Sequence, residues 1–167
     1  MRLTLWAAAG ALILVGALSG CARTQAAPAP VSTGSQPPAG TAVVATDSQN
    51  GIDVKVTFDP SGLAQPGGTL RFNVALDNHS IDLSNLDLAA KAVLRPAPGE
   101  AVTSGFRWEQ EGAGHHATGV LSLPNTDASG RSIVTAETKS LTLELHDMGG
   151  AALRSFRFEN AGWRVTG

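Results

Sequence analysis

Between residues 52 and 58 the chain alternates strictly: Ile52, Val54, Val56 and Phe58 are apolar, while Asp53, Lys55 and Thr57 are polar. A period of two sends alternate side chains to opposite faces of an extended chain, so this run predicts a strand with one face buried. The Pro- and Gly-rich "DPSGLAQPGG" that follows predicts a turn. Alternation resumes at Leu70, Phe72, Val74 and Leu76, with Arg71, Asn73 and Asp77 on the other face. "AAKAVLRP" predicts a third strand, ended by Pro96 and the turn "PAPGE"; Phe106 and Trp108 mark a fourth, and "TGVLSLP" a fifth. "SLTLELHD" alternates through Leu141, Leu143 and Leu145, with Thr142, Glu144 and His146 turned away. Met148-Gly149-Gly150 then predicts a hairpin into "AALRSFRFE". No stretch of ten residues holds a 3.6-residue period; "SIDLSNLDLAAK" comes nearest, with room for one helical turn.

About seven short strands with turn signals at close intervals predict an all-β fold, an antiparallel β-sandwich of immunoglobulin-like architecture. The chain has one Cys, so the Cys-Trp-Cys pattern of true immunoglobulin domains is absent and the likeness is one of architecture alone. Residues 46–167 have the usual size of a single domain.

The pattern differs before that. Arg2 precedes an apolar run, Leu3 to Leu18. The run falls short of the roughly 20 residues of a transmembrane helix and fits the apolar region of a secretory signal, residues 1–20. Residues 21–45 are rich in Pro, Ala, Ser and Gly, a linker with too little large apolar surface to order itself. Leu18-Ser19-Gly20-Cys21 resembles the bacterial lipobox. The resemblance implies cleavage before Cys21, lipidation of Cys21 and a tether to a membrane through that lipid. Ala22 in place of Asp implies the outer membrane or the cell surface, according to the envelope type. The alternative is an uncleaved apolar anchor with an incidental Cys. With Cys21 the sole cysteine, no intramolecular disulfide is possible.

Charge removes some partners. Without Arg2, 11 cations face 14 anions, a net of −3, and no Lys/Arg cluster occurs, which excludes nucleic acid as the expected partner. No nucleophile elbow, zinc-protease motif, P-loop or dinucleotide fingerprint is present, and no residue is assigned a catalytic role.

The chemistry worth weighing is in the histidines, four in all. His115 and His116 sit in "EGAGHHATG", His79 in "LDNHSIDLSNLD", and His146 at a strand end. Imidazoles bind Zn or Cu when two or three converge with a carboxylate. Adjacent residues of a strand point to opposite faces, so His115 and His116 would share a metal only in a loop. Strand parity puts His79 on the face of Asp77, making Asp77, His79, His115 and His116 the candidate ligands. The competing expectation is a glycine-rich hairpin with structural histidines. Asp77, Asp82, Asn85 and Asp87 are hard donors of the kind Ca²⁺ uses, though such residues more often cap turns. "VALDNHSIDL", a Trp, "GHH" and a final Gly-Gly turn resemble a set of bacterial exported β-sandwich domains carrying L-D-x-H-S and G-G-H-H motifs, whose activity is not established. Here Ala113 replaces the first Gly of G-G-H-H. The resemblance implies that His79, Trp108, His115 and His116 belong to one site. The function expected is that of a lipid-anchored, extracytoplasmic, non-enzymatic binding or accessory module of the cell envelope, with an envelope protein among its partners. A Cu/Zn-binding protein and a hydrolase with a spatially assembled site are the alternatives.

Overall fold

The computed structural model describes residues 41–166; the predicted signal segment, Cys21 and most of the linker lie outside the described residues. Eight strands follow in order: β1 (Val43–Gln49), β2 (Ile52–Asp59), β3 (Thr69–Asn78), β4 (Ala92–Ala97), β5 (Arg107–Glu111), β6 (His116–Pro124), β7 (Ser140–Met148) and β8 (Ala151–Glu159). They form a five-stranded sheet, β1-β2-β3-β6-β5, and a three-stranded sheet, β4-β7-β8, with every pairing antiparallel. The all-β sandwich expected from the alternation is the fold observed.

The alternating apolar residues face one shared core. Ile52, Val54, Val56 and Phe58 of β2 and Leu70, Phe72, Val74 and Leu76 of β3 meet Leu141, Leu143 and Leu145 of β7 and Phe156 and Phe158 of β8, all at most 2% exposed. At its centre Phe58 lies 5.1 Å from Phe72, 5.6 Å from Phe158 and 5.1 Å from Trp163, centroid to centroid. Offset and edge-on ring pairs at these distances contribute about 0.5–1.5 kcal/mol each beyond their buried area. Pro96 lies on the free edge of β4: Leu94, two residues earlier, exchanges both backbone bonds with Val102 rather than with β7. The N–H that proline lacks would point off the sheet, so β4 tolerates it.

One loop differs from expectation and another agrees with it. The loop "DPSGLAQPGG" contains a short 3₁₀ turn, Pro60–Ala64, capped by Asp59, which accepts from the Ser61 N–H at 2.9 Å. The stretch with room for one helical turn holds another, Ala89–Lys91, where Asp87 accepts from the Ala89 N–H at 3.0 Å.

The eighth strand, β1, was not anticipated. It begins at Val43, inside the stretch read as linker, so the ordered sandwich starts before residue 46. A two-residue turn, Asn50-Gly51 with φ of 51° and 72°, joins it to β2. Both φ values are positive, the type I′ geometry that matches strand twist. β1 escapes the alternation rule because its inward positions include Asp47 and Gln49, which are polar. They face Arg154 of β8, a guanidinium with 0% exposure. Arg154 Nη1 donates to Asp47 Oδ1 and to the Ile52 carbonyl at 3.1 Å, and Nη2 donates to the Gln49 carbonyl at 2.7 Å. One arginine of the three-stranded sheet thereby grips both strands of the β1–β2 hairpin in the other.

Candidate functional site

The register of β3 and β6 decides how the histidines meet. Asp77 is the cross-strand partner of His116, both on the outward face of the five-stranded sheet. His116 Nδ1 stands 3.0 Å from Asp77 Oδ1, with the two side chains 68% and 54% exposed. His79 follows β3 directly and turns its ring edge-on to His116, with centroids 6.5 Å apart. Three of the four candidate ligands, Asp77, His79 and His116, therefore gather at one end of one face.

His115 does not join them. It belongs to the turn before β6, and its carbonyl accepts from the Asn78 backbone N–H at 3.0 Å and from Asn78 Nδ2 at 3.3 Å. Asn78 is 1% exposed and also accepts through Oδ1 from the N–H groups of Ser80 and Ile81. This amide ties the β5–β6 turn to the start of the β3–β4 loop. His115 lies instead within electrostatic reach of Asp82, whose carboxyl is held below its usual range mainly by hydrogen bonds from Ser84. Ser84 Oγ in turn accepts from the Gly114 N–H at 2.9 Å. The two neighbouring histidines meet different groups, although His115 lies in a turn, where strand alternation does not apply.

Trp108 is also separate from the histidines. It pairs with buried Leu121, so it points inward while His116 and Asp77 point outward. Its indole N–H donates to Gln110 Oε1 at 3.3 Å, and its ring covers Gly119, where a Cβ would come within 2.5 Å of it. Gln110 Nε2 passes the contact on to the Leu83 carbonyl at 3.1 Å, which fastens the β3–β4 loop.

Among the described residues no group of three or more His, Cys, Asp or Glu side chains is placed to hold a metal ion. The hard donors proposed for Ca²⁺ are dispersed. Asp82 Oδ1 accepts from the Ser84 N–H and hydroxyl, Asp87 Oδ1 caps the 3₁₀ turn, and Asp77 faces His116. Asp82 and Asp87 each close their own stretch of chain, the ordinary use of Asp in loops, while Asp77 reaches across to β6. His146 faces outward on the three-stranded sheet, 3.2 Å from Glu144 Oε2. Glu144 also accepts from Arg95 Nε at 2.8 Å, and that contact is the chief reason its carboxyl lies below the ordinary range.

The opposite end of the sandwich carries a feature that the strand pattern did not reveal. A cleft of about 720 Å³ opens between residues 98–105, which lie between β4 and β5, and residues 124–138, the end of β6 and the connection that leads to β7. Pro96, Val102, Leu123 and Ile133 supply its aliphatic surface. Both walls are pinned. Leu94 and Val102 exchange backbone bonds of 2.9 and 2.8 Å. Asn125, 3% exposed, bonds both backbone groups of Val134 and donates its own N–H to the Gly68 carbonyl at 2.7 Å. The tip is closed by Asp127, which accepts from the Ser129 hydroxyl, the Ser129 and Arg131 N–H groups and the Arg131 guanidinium. These bonds, the Ser129 hydroxyl first, hold the Asp127 carboxyl well below the usual carboxylate range. The available sequence signal was length: a β6–β7 connection at the upper end of the ordinary range, about 12–15 residues without a strand, is more often functional than the short turns elsewhere.

Comparison of the chain with protein-family models finds no match, and no curated protein matches it either. The resemblance to exported domains with paired histidines rests on its motifs alone, of which Asp77, His79 and His116 gather on one face while His115 and Trp108 point elsewhere.

Proposed function

We propose that the protein is a lipid-anchored, extracytoplasmic binding module of the cell envelope, without catalytic activity of its own. The observation that carries this is the tetrapeptide Leu18-Ser19-Gly20-Cys21 at the end of an apolar run, with Cys21 the sole cysteine of the chain. A lone thiol in an exported protein has no disulfide partner, and thioether acylation gives it a use. Several acyl chains, at about 0.8 kcal/mol per buried CH₂, hold a protein at a bilayer firmly without any segment crossing it. The Pro- and Ala-rich stretch after Cys21 is suited to a spacer between bilayer and sandwich. The sandwich contributes loops pinned by hydrogen bonds, and the cleft between two of them is a concave surface of ligand-binding size.

The test is metabolic labelling of the full chain in a bacterial host with an alkyne-tagged fatty acid, alongside Cys21→Ser. Label on the wild type that is lost in the variant, with movement of the protein from detergent phase to aqueous phase, is the expected result. An unlabelled wild type, or label that persists after Cys21→Ser, overturns the proposal.

A further inference from the structure

We propose that the cleft between residues 98–105 and 124–138 binds an extended peptide segment that carries one basic side chain. The proposal deepens the binding-module reading by naming the ligand class, and it does not depend on how the chain is anchored.

Charge complementarity comes first. Three ionisable side chains line the cleft: Glu100, Asp127 and Arg131. Two of them are occupied with each other. Arg131 Nη2 lies 2.9 Å from Asp127 Oδ2, and Arg131 Nε donates to Asp127 Oδ2 and to the Ser129 hydroxyl. Glu100 makes no hydrogen bond and no ion pair with any described residue. The charge left for a ligand is a single carboxylate, which asks for a single cation. An anionic ligand would meet Glu100 with no free cation opposite it.

Hydrogen-bonding capacity comes second. The hydroxyls of Thr103, Ser104, Thr126 and Ser132 line the cleft, and none is hydrogen-bonded to another described residue. A hydroxyl both donates and accepts, so these four can serve the N–H and C=O groups of a peptide backbone. Shape and surface come third. Aliphatic residues also line the cleft and no aromatic ring does. A sugar ring would lack the flat partner on which such rings are usually held, whereas small peptide side chains suit an aliphatic surface. The pinned walls reduce the ordering cost of binding, which favours recognition of a flexible segment.

The experiment uses the purified full chain in detergent micelles as bait for a phage-displayed random heptapeptide library. Enriched peptides are then synthesised and titrated by fluorescence anisotropy. Ser104→Trp and Ser132→Trp each fill the cleft from one wall at an exposed position, and circular dichroism verifies that at least one of them folds as the wild type does. The expected result is enrichment of peptides with one Lys or Arg, binding abolished by a folded cleft-filling variant, and weakening by Glu100→Gln of roughly two- to five-fold, the size of one exposed charge pair. Glu100→Asp should retain most of the affinity. No enrichment above an unrelated bait overturns the proposal. So do peptides that bind the filled variants as tightly as the wild type, peptides indifferent to Glu100→Gln, and capture by the same cleft of glucosamine oligomers in preference to peptide. Fatty-acid labelling at Cys21 reads the anchor separately, so loss of one conclusion leaves the other testable.

Discussion

Replacing Asp47 by Ala removes the only carboxylate among the described residues that answers the fully buried Arg154. The guanidinium has 0% exposure, keeps the carbonyls of Gln49 and Ile52 as acceptors, and already carries a buried Nε with no partner. An ion taken out of water and stripped of its counter-charge costs a protein about 3–5 kcal/mol, against a total stability of about 5–15 kcal/mol for a domain. Removing the other partner is milder. In Arg154→Met the Asp47 carboxylate keeps the Gln49 amide at 2.8 Å and, with 19% of its side chain exposed, reaches water. That variant also sheds the unpaired Nε, a group whose burial costs about 1–3 kcal/mol. We expect Asp47→Ala to cost about 3–5 kcal/mol, Arg154→Met about 1–2, and Asp47→Ala made on top of Arg154→Met about 1 or less. The readout is the urea midpoint at unchanged m-value for all four proteins, together with hydrogen exchange of the β1 amides. The exchange should accelerate most in Asp47→Ala, because β1 pairs only with β2 within its sheet. Costs that add within about 0.5 kcal/mol would refute the coupling.

The same contact shows what a sequence pattern can and cannot carry. Most of the strands were legible because their inward positions are largely filled by Ile, Val, Leu and Phe, whose burial is a property of the residue itself; β5, with Trp108 and Gln110 inward, was marked only by its aromatic residue. β1 was illegible by that rule because Asp47 and Gln49 face inward, and their burial has meaning only beside Arg154, far along the chain in β8. Asn50-Gly51 was the local clue: two residues of this type between extended runs announce a type I′ hairpin and therefore a strand before Ile52. The histidine site was half legible for a related reason. Asp77 and His79 both lie beside His116, as parity along β3 predicts, whereas His115 stands in the turn, where alternation makes no prediction. Which neighbour each meets depended on the β3–β6 register, a property of the pairing that neither strand specifies alone. Trp108 looked like a companion of the histidines in sequence, yet the pleat turns it to the other side of the sheet. The cleft was least visible, since it is made by two separate loops, each crossing from one sheet to the other, that meet at the same end of the sandwich.

Three further outcomes test separate parts of the molecule. Gly149 and Gly150 have φ of 59° and 78°, but a Cβ at Gly149 would stand 2.0 Å from Cδ1 of buried Ile52, whereas one at Gly150 has its nearest neighbour at 3.5 Å. Gly150→Ala should lose about 1–2 kcal/mol to its left-handed backbone, and Gly149→Ala about 1–3 kcal/mol more to overpacking; equal losses in thermal denaturation would contradict the packing of the two hairpin turns. The exposed Asp77–His116 pair should matter little to folding, with His116→Ala costing under about 1 kcal/mol and less still at high salt. Added Zn²⁺ should leave the melting temperature of the wild type unchanged, since no three-ligand group is assembled among the described residues, and a rise that His116→Ala abolishes would refute this. Asp127 provides the pH test. Its carboxyl is held well below the usual carboxylate range, first by the Ser129 hydroxyl and then by the Arg131 N–H. A depressed folded value means that its contribution is complete above the unfolded value of about 3.9 and is lost as the pH falls from there toward the folded value. Asp127→Asn lacks this ionisation, so the wild type should exceed it in stability by a constant margin above about pH 5, and the margin should shrink steadily below pH 4. Asp82, Glu137 and Glu144 are depressed as well, but they titrate in both proteins and cancel in the difference. A margin that stays constant down to pH 2 in urea unfolding would mean that the loop is held by its neutral hydrogen bonds, and that the Asp127 charge contributes nothing to closing that wall of the cleft.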